Sequence, residues 1–433
     1  MSHIAGMTKS EFDIIIVGGG LAGGLTALAL AQQNHAVALV EGQTPQALTD
    51  APYDGRTTAI AYASMRLFRR LGLWPAISAA AEPIRDILVT DGDRQTRFRD
   101  GGLSSFHMHF DSRGLAGTDG SGEDTPLGWI VENAAMRAAI FERITSHDNI
   151  TLFAPARRAA ATMTSGEATV LLEDGRALTG ALVIAADGKN SALRAEAGIR
   201  VNRWQYDQLG LVATVAHAAP HDGFAQEYFL PSGPFAILPM TDTKKGRETL
   251  HRSSLVWTEK QLVAKALVGL DDGPFTDELH TRFGPYLGDV TLAGPRWSYP
   301  LSFTLSHQFV APRLALIGDA ARAIHPIAGQ GFNLAIKDIA ALYDVIKDGR
   351  SVGLDVGALN VLENYQRWRR FDSVSLALGT DVLNRLFGTN NGMVRMARDV
   401  GLGLVNAAAP LRTFFMRQAG ADVGDLPSLL QAE

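Results

Sequence analysis

Three short segments of this chain hold residues that could do chemistry together, and the first sets the terms. It runs from Phe12 to Glu41 as FDIIIVGGGLAGGLTALALAQQNHAVALVE. Gly18, Gly20 and Gly23 stand at G-x-G-x-x-G spacing, with Leu21 and Ala22 between the last two and Gly24 as an extra small residue. The first glycine permits a tight turn, the second lets backbone approach a pyrophosphate, and the third allows close helix–strand contact. A helix starting there turns its free N–H groups and positive dipole end toward phosphate. Glu41, 23 residues after Gly18, suits a ribose hydroxyl pair and opposes a 2′-phosphate, so FAD or NAD fits better than NADP. An ordinary strand–helix–strand unit would use the same glycines, and this motif alone leaves FAD and NAD open.

The elements that must position these residues follow from the pattern. Phe12–Val17 reads as a buried strand, Leu21–Gln33 as a helix of Ala and Leu, and Ala36–Val40 as a second strand ending at Glu41. A polar loop leads to Asp54, Gly55 and Arg56, and Thr57–Leu71 is expected to be helical, with Gly72 ending it. Arg56 suits a carboxylate, a phosphate or a ring edge, and equally an exposed position near a helix N-terminus. Ile84–Phe98 alternates like strands about an Asp91-Gly92 turn, and Asp111–Pro126 reads as an exposed loop. Trp129–Val131 is strand-like, and Glu132-Asn133 precedes an Ala-rich helix over Ala134–Ile144. Asp174-Gly175 marks another hairpin.

The second chemical segment is the apolar strand Ala181–Ala186, which ends in Asp187-Gly188, with Arg194 a helical turn beyond. Asp187 thus falls at the carboxyl end of a parallel strand, the edge where open α/β sheets bind ligands. The third is Leu314–Ile317, ending in Gly318-Asp319. A loop follows with His325, Pro326, Gly329, Gln330 and Gly331, and then a helix from Phe332 to Ile346 with Asn333 in its first turn. A glycine loop entering a helix again offers backbone N–H groups to an anion or carbonyl. Between the second and third segments, LGLVATVAH, FAQEYFLP, PFAILPM and SSLVW read as an antiparallel sheet, with short helices at Leu262–Leu267 and Thr276–Phe283. From Val361 onward the chain reads as helices with basic faces and one apolar stretch, Val400–Met416, flanked by Arg395, Arg398, Arg412 and Arg417.

The expected fold class is therefore α/β (α+β): a Rossmann-like FAD-binding domain with a parallel sheet, an inserted antiparallel-sheet substrate domain, and C-terminal helices. The expected boundaries are 1–85, 131–200 and 306–360 for the three parts of the cofactor domain. Residues 86–130 and 201–305 would form the substrate domain, and 361–433 the helical tail. A chain of 433 residues has ample core for this. A net charge of −5 announces no polyanion partner and no nucleic-acid patch is visible. There are no cysteines, which excludes disulfides, iron–sulfur ligation and a redox dithiol, and favours a reducing compartment. The N-terminus lacks a signal-peptide core, and no stretch reaches the roughly 20 apolar residues of a membrane span. No metal site is expected.

Three glycine-and-acid segments exceed what one nicotinamide site needs, and suit a long bipartite cofactor. FAD would use the first for adenosine and pyrophosphate, and the third for the ribityl chain and the pyrimidine edge of its ring. No second G-x-G-x-x-G announces a separate nicotinamide domain, so the choice of NADH or NADPH as reductant stays open.

The fingerprint, ADGKNSALR (Ala186–Arg194) and GDAARAIHPIAGQGFNLAIKD (Gly318–Asp338) resemble the FAD-dependent aromatic-ring monooxygenases of the para-hydroxybenzoate hydroxylase fold. Within that group the chain is most similar to the ubiquinone-biosynthesis ring hydroxylases. That closer likeness rests on DGRTTAIAYASMRLFRRLGLW, LGWIVENAAMR, GPFAILPM, SSLVW, YPLSF, YQRWRRFDS and TDVLNRLF, which cover nearly the whole chain in order. The resemblance implies that Gly18, Gly20 and Gly23 meet the FAD pyrophosphate and Glu41 the adenosine ribose. It places Arg56 and Asn133 near the flavin and its phosphates, Asp187 at the family's D-G acid, and Asp319 at the ribityl or phosphate part. Gly329, Gln330, Gly331 and Asn333 would line the isoalloxazine. Two positions depart from the family pattern: Arg322 stands where a His is usual, and Ala335 where a Gly is usual.

The implied reaction uses NAD(P)H and O₂. Reduced flavin gives a C4a-hydroperoxide, which hydroxylates an electron-rich phenol bearing a polyprenyl chain. The cofactor carries the hard step, so no nucleophile triad is expected. His325 and Pro326, beside the flavin loop, are the candidates for assisting proton movement, against the plainer reading of His325 as a packed or capping side chain. Tyr228 and His251 read as core or surface residues, and His307 has no distinguishing context. Val400–Met416 suits either a membrane surface or the protein's own core, and the basic residues around it suit docking of accessory proteins. A cytoplasmic setting is expected, with peripheral contact at the inner membrane face as its extension. Two other functions fit the same motifs: hydroxylation of a small soluble aromatic acid, which would need a fixed cation on the substrate strands, and a flavin-binding scaffold with little turnover.

Overall fold

A computed structural model of the chain describes residues 9–50, 53–91, 107–112, 125–246, 248–284, 287–325, 329–387 and 425–432. Pro326, the turn at Gly92, most of the loop 111–126 and the apolar stretch Val400–Met416 lie outside the described residues.

The central layer is a six-stranded sheet. Its order is Val310–Ala311, Leu314–Leu316, Leu182–Ala185, Ile14–Val17, Val37–Val40 and Ile150–Phe153. All neighbours pair in parallel except the two-residue edge strand Val310–Ala311. Four of these strands, among them Ile14–Val17 and Leu182–Ala185, are short apolar runs, as a sheet covered on both faces requires. Helices Leu21–Ala31 and Asn133–Thr145 cover it, as does the long helix Gln330–Ser351. The first two of these helices pack so closely that a Cβ at Gly24 would lie 2.5 Å from Ile140 Cγ2.

A second layer is an eight-stranded sheet. Val201–His217, Phe224–Leu230, Gly233–Lys245, Glu248–Lys260 and Val290–Ser306 form its body, joined at one edge by Asp86–Asp91 and His107–Asp111 and at the other by Arg322–Ala323. It is antiparallel apart from the pairing of Phe224–Leu230 with Asp86–Asp91. One face packs Trp257, Phe235 and Leu255 against helices Gln261–Val268 and Asp272–Phe283. The other face turns toward the cofactor layer: Thr57 Oγ1 donates to Ser254 Oγ at 3.0 Å, and Tyr53 and Thr214 share a hydroxyl pair at 2.7 Å.

The expected helix over Thr57–Leu71 is corrected. Thr57–Ala61 is a strand that pairs antiparallel with Gly128–Glu132, and only Tyr62–Arg70 is helical. Two threonines and an isoleucine favour extended backbone, and the pairing settles it. Helix Leu359–Phe387 follows, and the chain end returns to the core. Leu429 and Leu430 are buried, and Ser428 N donates to Asp344 Oδ2 at 2.7 Å. No helix among the described residues is long and apolar enough to cross a membrane.

Candidate cofactor and ring-binding site

The three chemical segments meet at the carboxyl edge of the parallel sheet, because the strands that deliver them are neighbours: Leu314–Leu316, Leu182–Ala185 and Ile14–Val17. The contacts are close. Gly18 has φ +102°, and a Cβ there would sit 2.4 Å from the carbonyl oxygen of Ala186. A Cβ at Gly23 would lie 1.8 Å from the Gly18 carbonyl oxygen, so only glycine lets the helix approach its strand this closely. At Gly318 a Cβ would lie 3.5 Å from Ala22 Cβ and 3.4 Å from Ala335 Cβ. The third segment is thus wedged between the fingerprint helix and the long helix Gln330–Ser351.

Gly20 differs from its neighbours: a Cβ there would meet none of the described residues within 4 Å. Gly20 is also the N-cap of helix Leu21–Ala31, which has no side-chain cap and no acid in its first turn. Among the described residues, room at the Gly20 Cβ position thus accompanies uncapped first-turn N–H groups at a positive dipole end, which suits a phosphate. Gly331 repeats the pattern in the first turn of Gln330–Ser351, which likewise has no side-chain cap and no acid there. Gly329, in left-handed conformation at φ +62°, makes that helix start possible. These features fit FAD.

Other named residues take particular partners. Glu41 accepts from Gly19 N through Oε2 at 2.7 Å and from Gln43 N through Oε1 at 2.8 Å, so its carboxylate braces the fingerprint loop. Asn133 Oδ1 accepts from Thr58 Oγ1 at 2.6 Å. Asp187 caps the short helix Ala192–Glu196: its Oδ2 accepts from Ala192 N at 2.9 Å, while Oδ1 is buried with no partner. Asn333, 2% exposed, accepts from Ala61 N and donates to Ala59 O, both at 3.0 Å. Its amide therefore clips the start of the long helix to the strand Thr57–Ala61. Gln330 opens that helix, half-buried. Asp319 keeps an exposed surface, yet the protein packed around it costs its carboxylate hydration and raises it above the usual range despite the charges of Arg322 and Lys189.

The Asp54–Arg56 loop stands where the two layers meet. Gly55 has φ +74°, and a Cβ would lie 2.3 Å from Trp297 of the eight-stranded sheet. Arg56 donates to Asp54 Oδ2 through Nε at 2.8 Å and Nη2 at 2.5 Å, and lies over the Tyr299 ring at 5.9 Å. Burial pushes the Asp54 carboxyl upward, but the hydrogen bonds and charge of Arg56, with the charge of Arg137, outweigh it and hold Asp54 below its ordinary range.

His325 is 1% exposed, and neither ring nitrogen has a hydrogen-bond partner among the described residues. Burial drives its pKa down to about 4, so it is neutral at pH 7. Tyr206 meets it edge-on at 5.2 Å between ring centroids, and Tyr206 Oη donates to Asp381 Oδ1 at 2.8 Å. Tyr228 is a core residue, whereas His251 pairs with Asp242 at 3.0 Å and His307 with Asn202 at 3.0 Å.

Sequence reasoning passed over Asp338. It is fully buried and holds Gly318 N at 3.1 Å, Arg322 Nη2 at 2.8 Å and Arg369 Nε at 3.1 Å. Arg322, at the family's His position, thus belongs to a charge network behind the Gly318-Asp319 turn. The one available signal was a lone acid in an otherwise apolar helix face. Arg194 is also more than a neighbour of Asp187: its guanidinium donates to Ala320 O at 2.8 Å and Lys189 O at 2.9 Å, tying the second segment to the third.

A parallel sheet with fingerprint glycines, joined through the Asp54–Arg56 loop to a large antiparallel sheet, is the fold shared with FAD-dependent hydroxylases. A family model described as FAD binding domain matches residues 11–349. The chain is 40% identical over 416 residues to ubiquinone hydroxylase UbiL of Rhodospirillum rubrum, covering 96% of this chain and 91% of that protein. It is 34% identical over 418 residues to 3-demethoxyubiquinol 3-hydroxylase of Escherichia coli, covering 95% and 99%. Among solved structures, p-nitrophenol 4-monooxygenase PnpA from Pseudomonas putida DLL-E4 shares the fold, with a TM-score of 0.75, 17% identity, and 97% and 100% of the two chains covered. The chain belongs to the FAD-dependent ubiquinone hydroxylase family.

Proposed function

We propose that this protein hydroxylates the ring of a polyprenylated phenol in ubiquinone biosynthesis, with NADH or NADPH as reductant and O₂ as oxidant. The observation that carries this reading is the meeting of the Asp54–Arg56 loop, the start of the long helix and the eight-stranded sheet at one end of the cofactor cleft. Bound FAD supplies the electron transfer and the activation of oxygen. The chain's own residues bind, orient and shield. Gly18, Gly20, Leu21, Ala22 and Gly23 present backbone to phosphate, Glu41 takes the ribose hydroxyls, and Arg56, Asn133, Asp187 and Asp319 surround the middle of the cofactor. Gly329, Gln330, Gly331 and Asn333 shape the ring-binding turn. The eight-stranded sheet keeps water from the reacting face. His325, buried and neutral, is with Pro326 our candidate for assisting proton movement beside that turn.

Hydroxylation of a small aromatic acid is disfavoured by Arg252. It lies on the face of the sheet turned toward the cofactor layer, but is already engaged by Glu132 Oε1 at 3.1 Å and Thr241 O at 3.0 Å, so it offers no open charge to a substrate carboxylate. The reading is tested by lipid-extract mass spectrometry of cells lacking the protein, with purified holoenzyme assayed on prenylated phenols and on hydroxybenzoate. An accumulating prenylated phenol short of one oxygen is expected. Turnover of hydroxybenzoate alone would reverse the order, and bound FAD without substrate-stimulated NAD(P)H oxidation would make the protein a scaffold.

For Val400–Met416 we infer contact with the membrane surface where polyprenyl substrates reside, or with accessory proteins. Because Leu429 and Leu430 belong to the core, truncation is the wrong test. Replacing Phe414 and Phe415 with Ser should instead reduce liposome flotation of the folded protein; unchanged flotation removes the membrane role.

A further inference from the structure

The crossover helix Asn133–Thr145 carries a guanidinium that its surroundings do not satisfy. The side chain of Arg137 is 16% exposed. Its Nε and Nη2 are sealed from solvent and make no hydrogen bond among the described residues. The nearest acid is Asp54, with Oδ2 at 4.0 Å from Nη2, which is beyond hydrogen-bond distance. Asp54 is already taken, since it accepts from Arg56 N at 3.1 Å, Nε at 2.8 Å and Nη2 at 2.5 Å. The cluster therefore holds two cations on one carboxylate. A buried guanidinium with unfilled donors is costly, and a second anion would relieve it.

The helix packing places this charge. Helices Leu21–Ala31 and Asn133–Thr145 lead into the parallel strands Val37–Val40 and Ile150–Phe153 of one sheet, and Asn149 Nδ2 donates to Ala31 O at 3.5 Å where they end, so they run in the same direction side by side. Their contact is at Gly24 and Ile140. One turn back along each helix, Leu21 and Arg137 are level. Arg137 thus lies beside the uncapped first turn that starts after Gly20.

We propose that Arg137 is a ligand for a dinucleotide phosphate, with Asp54 as the acid that holds it near that position. The inference rests on the cofactor reading above. The phosphate has two possible sources, FAD or the nicotinamide reductant, and the experiment separates them.

Full-length Arg137→Met is compared with wild type and Arg137→Lys. Apoprotein is titrated with FAD and melted with and without it, and KM for NADH and NADPH is measured at saturating FAD. The expected result is a drop in FAD affinity of about 10- to 100-fold, the scale of one charge-assisted hydrogen-bonded pair, with apoprotein melting unchanged. Lys should recover part of the loss. An unchanged FAD affinity with KM for the reductant raised by a similar factor assigns the phosphate to the reductant. The proposal is overturned if neither changes, or if apoprotein stability falls as far as that of the holoprotein, which would make Arg137 a packing residue. Wild-type protein that binds no FAD would instead overturn the cofactor reading, and this inference with it.

Discussion

Glu41 does two things with one carboxylate. It ends a buried strand, where an acceptor can meet a ribose, and it holds the Gly19 and Gln43 amides of the loops on either side. Hydrogen bonds to an ionised group contribute about 1.5–3 kcal/mol each. Glu41→Ala should therefore weaken FAD binding by roughly ten- to a hundred-fold, read by fluorescence titration of the apoprotein. Glu41→Gln, which keeps acceptor oxygen but not charge, should lose less. Equal binding by wild type and Glu41→Ala would show that neither the brace nor the ribose contact matters. Gly23 allows a still sharper test. Its Cβ would overlap the Gly18 carbonyl oxygen at 1.8 Å, so Gly23→Ala must push the fingerprint helix off its strand. Loss of FAD retention on purification is expected, and a Gly23→Ala protein that stays yellow would contradict the packing.

At the scale of elements, the site depends on two clips. Asn333 joins the long helix to the strand Thr57–Ala61 through hydrogen bonds to Ala61 N and Ala59 O. Asn333→Ala leaves both backbone groups unpaired, which costs about 2–4 kcal/mol in all and should appear as a lower urea midpoint. A loss of FAD affinity at temperatures where the variant is folded would show that the clip also shapes the ring-binding turn. The second clip is the chain end. Leu429 and Leu430 fill the space between helices Tyr62–Arg70 and Gln330–Ser351, and Arg66 Nη1 donates to Leu430 O at 2.7 Å. Leu430→Ala should destabilise by about 2–5 kcal/mol, as for other buried leucines, with a matching fall in melting temperature. These two clips also mark what the sequence could and could not reveal. Glycine spacing exposes the fingerprint because its constraint is local: a turn, a strand and a helix within 30 residues of each other. The strand Thr57–Ala61 hid because its pairing partner, Gly128–Glu132, is about 70 residues away. The same distance problem concealed Asp338, whose partners lie at Gly318, Arg322 and Arg369, and the unpaired donors of Arg137. Residue identity names what a side chain can do, whereas its partners are supplied by topology.

For the molecule as a whole, buried histidines give stability a pH dependence. His325 titrates at about 4 when folded against 6.5 for the free side chain. Between those values the unfolded chain binds a proton that the folded chain refuses, so stability is full above about 6.5 and falls as the pH drops toward 4. The difference corresponds to roughly 3 kcal/mol for this one residue. His35 and His217 are also lowered, first by burial, and add slope of the same sign. Urea midpoints should decline over this window, and His325→Leu should flatten part of the decline; an unchanged slope would place the titration elsewhere.

The order of strands in the central sheet has a consequence for how the protein is made. Its members come from residues 14–17, 37–40, 150–153, 182–185, 310–311 and 314–316, and Leu429 and Leu430 are also buried. Parallel pairing between such distant segments is slow and late. On a ribosome adding about 5–20 residues per second, the first two strands wait many seconds for the neighbour that covers their open edge, and the core closes only after Leu429 and Leu430 have been added. Until then an apolar strand edge is on display. Synthesis of this protein should therefore lean on holding chaperones, and translation that stalls after the middle strands should leave a nascent chain prone to aggregate.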